Sequence, residues 1–131
     1  MHTDPAELDV PRPDGTLRVL RWGRGPRHAV ALHGITASAA GWQPVAEALP
    51  TEWSLFAVDL RGRGHSAHLP GPYGWDRHLD DVLGAVAHLG KKGDRLTIMN
   101  FATFSKAKAK KWKPRVIVLG KGNRIVNQRG I

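Results

Sequence analysis

The stretches HAVALHG at residues 28–34 and DLRGRGHS at residues 59–66 decide the fold of this chain. The first stretch is a short apolar run that ends at Gly34. The second begins at the end of another apolar run, residues 53–60 (WSLFAVDL). Between the two, residues 38–49 carry apolar side chains at helical spacing. Strand, crossover helix and second strand in this order predict an α/β fold, with a mainly parallel sheet that helices cover on both faces.

The flanking segments extend this pattern in both directions. Leu8–Arg12 and Thr16–Trp22 are short extended runs, and the Pro-Asp-Gly between them favours an antiparallel hairpin. Asp76–Leu89 has helical periodicity and predicts a second crossover helix. Its predicted apolar face comprises Leu79, Val82, Leu83, Val86 and Leu89, with Asp80, Asp81 and His88 elsewhere on the helix.

Beyond residue 90 the sequence again predicts strands and a helix, but its residue composition is different. Residues 95–104 (RLTIMNFATF) predict a strand, and Ser105–Lys113 predicts a lysine-rich helix or arm that Pro114 ends. Arg115–Leu119 predicts a further strand, and the turn signal after it allows Arg124–Asn127 to pair back. We therefore expect a partial sheet with a basic, strand-containing C-terminal tail.

Charge divides the chain into two segments. Residues 1–90 hold eight arginines, no lysine and ten acidic residues, a net charge of −2, together with all seven histidines. Residues 91–131 hold eight lysines, four arginines and one acidic residue, a net charge of +11. This shift predicts a boundary near residues 90–93 and suggests a fusion, a frameshift or a chimera; a basic tail that evolved in place is the alternative.

Composition excludes several functional classes. The chain has no cysteine, which rules out disulfides, thiolate zinc sites and cysteine nucleophiles and is compatible with a cytoplasmic location. No apolar run approaches the roughly 18 residues of a membrane helix, so we expect no membrane association. His65, His68 and His78 match no zinc-site spacing, and we predict no metal or other cofactor. The oligomeric state stays open.

The His33-Gly34 pair after one strand and the D-x-R-G-x-G-x-S pattern after the next are similar to the α/β-hydrolase family, over residues 8–90. The resemblance implies a hydrolase lineage acting on small-molecule esters, lactones, epoxides or C–C bonds. It also implies an oxyanion-hole loop at His33, Gly34 and Ile35, with the Ile35 backbone N–H as one donor and the residue after the nucleophile as the other. A preorganised donor of this kind stabilises the transition state by about 3–4 kcal/mol.

The second loop is expected to be structural. The resemblance implies that this loop turns the chain at the end of its strand. It also implies that Asp59 and Arg61 hold loops together by charge-assisted hydrogen bonds. Ser66 imitates a nucleophile in Gly64-His65-Ser66, but His68 stands where a nucleophile elbow needs its second glycine. The predicted structural loop residues are Asp59, Arg61, Gly62, Gly64 and Ser66.

The nucleophile elbow itself is missing from the sequence. In register with the family's next strand, Asn100 and Phe104 fall on the two glycines and Ala102 on the serine. No histidine follows His88, so the base that should come later in the chain is absent as well. Family members usually run to roughly 200–250 residues. We predict a truncated hydrolase without a complete catalytic site, which would take a substrate only if the rest were supplied elsewhere.

The basic tail offers an alternative function. Five lysines surround one tryptophan, a cluster able to contact phosphates and to stack on a base. The candidate contacts are Lys106, Lys108, Lys110, Lys111, Trp112 and Lys113. Residues 91–104 also weakly resemble part of a bacterial histone-like DNA-binding protein. A nucleic-acid-binding chimera and a fusion or frameshift product without a function of its own therefore both remain open.

Overall fold

A computed structural model describes residues 4–94, 96–99, 105–113 and 115–130. The chain forms two compact units, residues 1–100 and 101–131. The compositional boundary near residue 90 thus lies about ten residues before the boundary between the units. The described part of the first unit contains β1 (Ala6–Arg12), β2 (Gly15–Trp22), β3 (Arg27–Leu32), α1 (Gln43–Ala48), β4 (Trp53–Val58), α2 (Trp75–Leu89) and β5 (Leu96–Met99).

The five strands form one sheet in the order β1-β2-β4-β3-β5. The β4-β3 and β3-β5 pairs are parallel, whereas β2 is antiparallel to both of its neighbours. Only β2 therefore runs against the common direction, and the prediction of a mainly parallel sheet is confirmed. The strand predicted at residues 95–104 is described over residues 96–99, where it occupies the edge beside β3.

The β1-β2 hairpin forms as its turn chemistry predicts. Arg12 pairs with Gly15, so Pro13 and Asp14 make the two-residue connection. Gly15 has a φ of +148°, a conformation that favours glycine. The hairpin places Asp14 at the end of the sheet, where its carboxylate accepts hydrogen bonds from Arg61.

Helices cover both faces of the sheet, which explains why the strands are apolar on both sides. The face under α1 is lined by Leu20, Trp22, Ala29, Ala31, Leu55 and Ala57. The face under α2 is lined by Val10, Leu17, Val19, Val30 and Val58, with Ala85 of α2 packed on them. Side chains alternate between the two faces along each strand, as the period of two requires.

The orientation of α2 differs from the predicted one. Asp81 is fully buried with Val82 and Ala85, whereas Leu79 and Leu83 are 59% and 58% exposed. The prediction was therefore wrong in placing Leu79 and Leu83 on the buried face and Asp81 away from it. The cause is an ion pair: Asp81 turns inward because a buried arginine bonds it, and the helix rotates accordingly.

The second unit is small and open. It contains α3 (Lys106–Lys111) and a hairpin of β6 (Val116–Leu119) and β7 (Ile125–Arg129). Of the residues described between 105 and 130, none is buried. The helix, the turn and the returning strand agree with the predicted elements, but the hairpin forms a two-stranded sheet of its own. No helix in the described ranges is both long and apolar enough to span a membrane.

Candidate functional site

Two loops meet at one edge of the sheet. Leu32, the last residue of β3, is in register with Val58, the last residue of β4, and the two strands are parallel. His33 and Asp59 therefore leave adjacent strands at the same level. This is the edge at which open α/β sheets bind their ligands.

His33 holds the first loop to the second. Its Nε2 accepts a hydrogen bond from the Leu60 backbone N–H at 3.0 Å, so the ring proton lies on Nδ1. Nδ1 in turn donates to the Gly34 carbonyl at 2.8 Å. The ring is buried and in this tautomer uses both nitrogens internally, which suits a residue that shapes the loop rather than one that transfers protons.

Asp59 organises the chain around the second loop. One carboxylate oxygen accepts from the Ala39 backbone N–H at 2.7 Å and the other from the His65 backbone N–H at 3.0 Å. The carboxylate is buried and lies 4.0 Å from His33 Nε2. Gly64 has a φ of +47°, and a Cβ there would collide with the Asp59 carboxylate. A glycine is therefore required at this position on two independent grounds.

The predicted oxyanion loop is open to solvent. Ile35 is 79% exposed, and in the described part of the chain its backbone N–H has no hydrogen-bond partner. A Cβ built at Gly34 would meet no described heavy atom within 4 Å. The Gly34 carbonyl accepts from the Ala37 N–H at 3.2 Å, which fixes the turn. The Ile35 amide thus lies in an open loop with no partner in the described part of the chain, the arrangement that an oxyanion donor needs.

Ser66 lies in a structural position. Its hydroxyl is completely buried and accepts a hydrogen bond from the Arg18 backbone N–H at 2.9 Å. Its carbonyl accepts from the Gly62 N–H at 3.1 Å, which closes the loop. Gly62 adopts a φ of +77° against the ring of Tyr73. A substrate cannot reach the buried Ser66 hydroxyl without opening this loop.

Arg61 is the centre of a buried ion cluster. All five of its N–H donors are used: two bind the Asp81 carboxylate at 2.8 and 3.0 Å, two bind Asp14 at 2.6 and 3.0 Å, and one binds the Pro70 carbonyl at 2.8 Å. The guanidinium is 2% exposed. Full use of the donors is what makes a buried guanidinium tolerable.

Three further charged residues extend the cluster. Arg12 donates to Asp81 at 3.0 Å and to Asp80 at 2.5 Å, and Arg77 donates to Asp14 at 2.8 Å. The hydrogen bonds from Arg61 lower the pKa of Asp14 to about 2. The hydrogen bonds from Asp81 and Asp14 raise the pKa of Arg61 further above its usual value. The cluster joins the β1-β2 hairpin, the second loop and α2.

The sequence predicted Asp59 and Arg61 as the residues that tie loops together, but not their partners. The Arg61 partners Asp14 and Asp81 lie 47 and 20 residues away in sequence. Helical periodicity gave no signal for the Asp81 pairing, because the burial of Asp81 with Val82 and Ala85 is seen only in the structure.

The remaining candidate residues do not assemble into a centre. The described residues contain no group of three side chains able to hold a metal ion, and His65 Nδ1 lies 3.5 Å from the Asp59 carboxylate. Positions 100–104, where the elbow is expected, lie outside the described residues. The lysines at 106, 108, 110, 111 and 113 are all exposed, and Trp112 is 53% exposed.

Comparison with known proteins gives partial matches to hydrolases. A pimeloyl-[acyl-carrier protein] methyl ester esterase of Vibrio vulnificus is 49% identical over 53 residues, 38% of this chain and 20% of the esterase. The solved thioesterase domain from the curacin biosynthetic pathway has a TM-score of 0.64 at 24% identity, over 73% of this chain and 35% of that one. The chain thus spans between a fifth and about a third of the length of these two proteins.

The C-terminal half has a different relative. The family model described as Aspartate decarboxylase matches residues 77–126. An aspartate 1-decarboxylase of Myxococcus xanthus is 44% identical over 45 residues, 34% of this chain and 35% of the decarboxylase. The family-model match includes residues 91–104, which weakly resemble part of a histone-like protein.

Proposed function

We propose a partial hydrolase site, on the premise that the N-terminal part of this chain belongs to the α/β-hydrolase fold family. In this proposal the chain supplies one oxyanion donor and the loop that positions it, but no nucleophile. It does not turn over substrate alone. The reaction served by such a loop is hydrolysis of a small-molecule ester, lactone, epoxide or C–C bond, and the chemistry of the esterase and thioesterase relatives favours the acyl substrates among these.

The observation that carries the proposal is the free amide of Ile35. It lies three residues after Leu32, the end of β3, in a loop that the His33–Leu60 hydrogen bond holds to the second loop. A developing oxyanion is stabilised only by donors that are already in place, because reorganising them would cost the energy they provide. We assign Asp59, Arg61, Gly62, Gly64 and Ser66 the task of holding this arrangement.

Two observations support the lack of turnover. In the described part of the chain no serine hydroxyl is hydrogen-bonded to a histidine ring, the arrangement that activates a serine. The sequence after His88 contains no histidine that could act as base. An oxyanion loop without a nucleophile supports at best weak residual catalysis.

A p-nitrophenyl ester assay on the full chain tests this. We expect turnover at the background rate, and no change in Ile35→Pro, which removes the donor. Exposure to a serine-directed fluorophosphonate, followed by mass spectrometry, should leave the chain unlabelled. Turnover well above background that disappears in Ile35→Pro, or stoichiometric labelling of one serine, would show that the site is complete.

Nucleic-acid binding is the second candidate, and the exposure of the basic helix favours it. The lysines of α3 and Lys113 lie within one short segment, and all of them are exposed. Such a segment binds duplex DNA by counterion release, so affinity should fall steeply between 50 and about 200 mM salt. Fluorescence anisotropy measures this. Replacing Lys110 and Lys111 by Gln should flatten the slope, and a salt-independent affinity would exclude the model.

The composition and the relatives support a chimera as the origin of the chain. The chain has partial matches to both a hydrolase and a decarboxylase, and the decarboxylase family model, matched over residues 77–126, includes the charge shift. We propose no decarboxylase activity, because the match covers 35% of that enzyme. Sequencing the DNA around codons 88–95 tests the proposal: an intact elbow in another reading frame would identify a frameshift, and one uninterrupted frame without it would support a fusion. A cytoplasmic location is part of the same proposal.

A further inference from the structure

A groove separates α2 from the start of the sheet strands. Its apolar section has a volume of about 270 Å³ and lies under α2. Its basic section has a volume of about 520 Å³ and lies beside the first residues of β3. The two sections share His28, Phe56 and Leu89 and are therefore adjacent. The apolar section is walled by Val30, Phe56, Val58, Ala85, Val86 and Leu89.

The basic section contains cations without a counterion. Arg21 and Arg24 line it together with His28, and no carboxylate is among its described lining residues. The described part of the chain forms no ion pair to either arginine. The Nε of Arg21 is buried and lacks a hydrogen-bond partner among the described residues. A buried donor without a partner is unfavourable, and an anionic ligand would supply the missing acceptor.

Arg21 is a charged residue on an otherwise apolar face of β2. Leu17 and Val19 precede it on the same face of β2, and its register partner on β4 is Phe56. A guanidinium thus ends a row of core side chains. Ion pairing inside the protein explains the buried Arg61, but it does not explain Arg21.

We propose that the groove binds a medium-chain amphipathic anion, an aliphatic chain that ends in a carboxylate. The carboxylate lies at Arg21 and Arg24, whose planar guanidinium groups match its two oxygens. The chain lies along the apolar wall that Val30, Val58 and Val86 help to form. The volumes are near the roughly 300–1,000 Å³ of small-molecule sites.

The rim of the apolar section adds to the positive field. Lys91 and Lys92 line it, and Asp94 is its one described carboxylate. Asp94 is engaged, because its carboxylate accepts a hydrogen bond from the Lys91 backbone N–H at 2.9 Å. The local charge balance therefore favours an anion over a neutral or cationic amphiphile of the same length.

This site is separate from the oxyanion loop. His28 lies near the start of β3 and His33 follows its end, which at about 3.3 Å per residue places them roughly 16 Å apart. Binding here needs neither a nucleophile nor the Ile35 amide. The proposal therefore does not rest on the proposed hydrolase function, and either can fail alone.

Calorimetric titration of the full chain with decanoate tests the proposal. Acetate, which lacks the chain, and decyltrimethylammonium, which reverses the charge, are the comparison ligands. We expect one saturable decanoate site and at least about tenfold weaker binding of both comparison ligands. Arg21→Gln should weaken decanoate binding about tenfold or more. Arg63→Gln is the matched control, an exposed arginine after the end of β4, and should change the affinity less than about twofold.

A second variant fills the groove without touching the core. Ala87 is exposed and lines the apolar section, so Ala87→Trp should abolish decanoate binding while the circular dichroism spectrum stays unchanged. If Arg21→Gln does not fold, Ala87→Trp still tests whether the groove binds decanoate. Three outcomes overturn the proposal: no saturable binding, equal binding of the cationic amphiphile, or full binding by Ala87→Trp.

Discussion

Removing one member of the Arg61–Asp81 pair should destabilise the first unit strongly. Asp81 has no exposed surface and accepts three charge-assisted hydrogen bonds, two from Arg61 and one from Arg12. Breaking a buried pair from one side typically costs about 3–5 kcal/mol, because the other charge stays buried. A domain of this size has a total stability of only about 5–15 kcal/mol.

The two single variants should differ in degree. In Asp81→Asn the guanidinium of Arg61 keeps Asp14, so the loss should lie near 3 kcal/mol, the lower end of that range. In Arg61→Met all five hydrogen bonds disappear and Asp81 keeps only Arg12, so the loss should approach about 5 kcal/mol. The double variant Arg61→Met/Asp81→Leu leaves neither charge unpaired and should cost about 2 kcal/mol less than the sum of the singles.

Urea unfolding followed by far-UV circular dichroism measures these free energies. Arg63→Gln serves as control, since Arg63 is exposed and its loss should stay within about 0.5 kcal/mol. Single-variant losses below about 1 kcal/mol would refute the reasoning, as would a double variant whose loss equals the sum of the singles. Either result would mean that the cluster is hydrated rather than buried.

Three further predictions concern the same unit. Gly64→Ala should cost about 2 kcal/mol or more, because it combines a positive φ with a clash against Asp59, and a melting temperature equal to that of the parent would contradict this. The depressed pKa of Asp14 contributes stability that is present above pH 4 and lost as the pH falls towards 2; urea titrations should show this loss, and Asp14→Asn should flatten it. Leu79→Lys should reduce light scattering at high protein concentration without lowering stability, because that side chain is exposed on α2; unchanged scattering would show that other surfaces cause self-association.

The elements of this fold could be predicted from the sequence because their signals are local. A six-residue apolar run closed by glycine, such as residues 28–33, indicates a strand whatever surrounds it. The edge position of β5 was harder, since it depends on pairing with a strand more than 60 residues earlier. The sequence predicted a strand at residues 95–104 but not its partner, which the structure shows to be β3.

The rotation of α2 could not be predicted in the same way. Helical periodicity predicts that Leu79 and Leu83 are buried, because it assumes that every charged side chain faces solvent. Burial of Asp81 becomes favourable only once Arg61 supplies two hydrogen bonds from a loop 20 residues earlier. The error thus came from a pairwise, long-range term that no helical window contains.

The proposed oxyanion loop can form without a nucleophile, because the contacts that shape it lie within a short stretch of the chain. The ring of His33 bonds the Leu60 amide, and the Asp59 carboxylate bonds the amides of Ala39 and His65, so all of these partners lie within residues 33–65. Nothing in this set requires the elbow, whose expected positions come 35 residues later. Since a donor accelerates a reaction only when a nucleophile attacks within its reach, the site that we propose has the geometry of the loop without the rate of a complete enzyme.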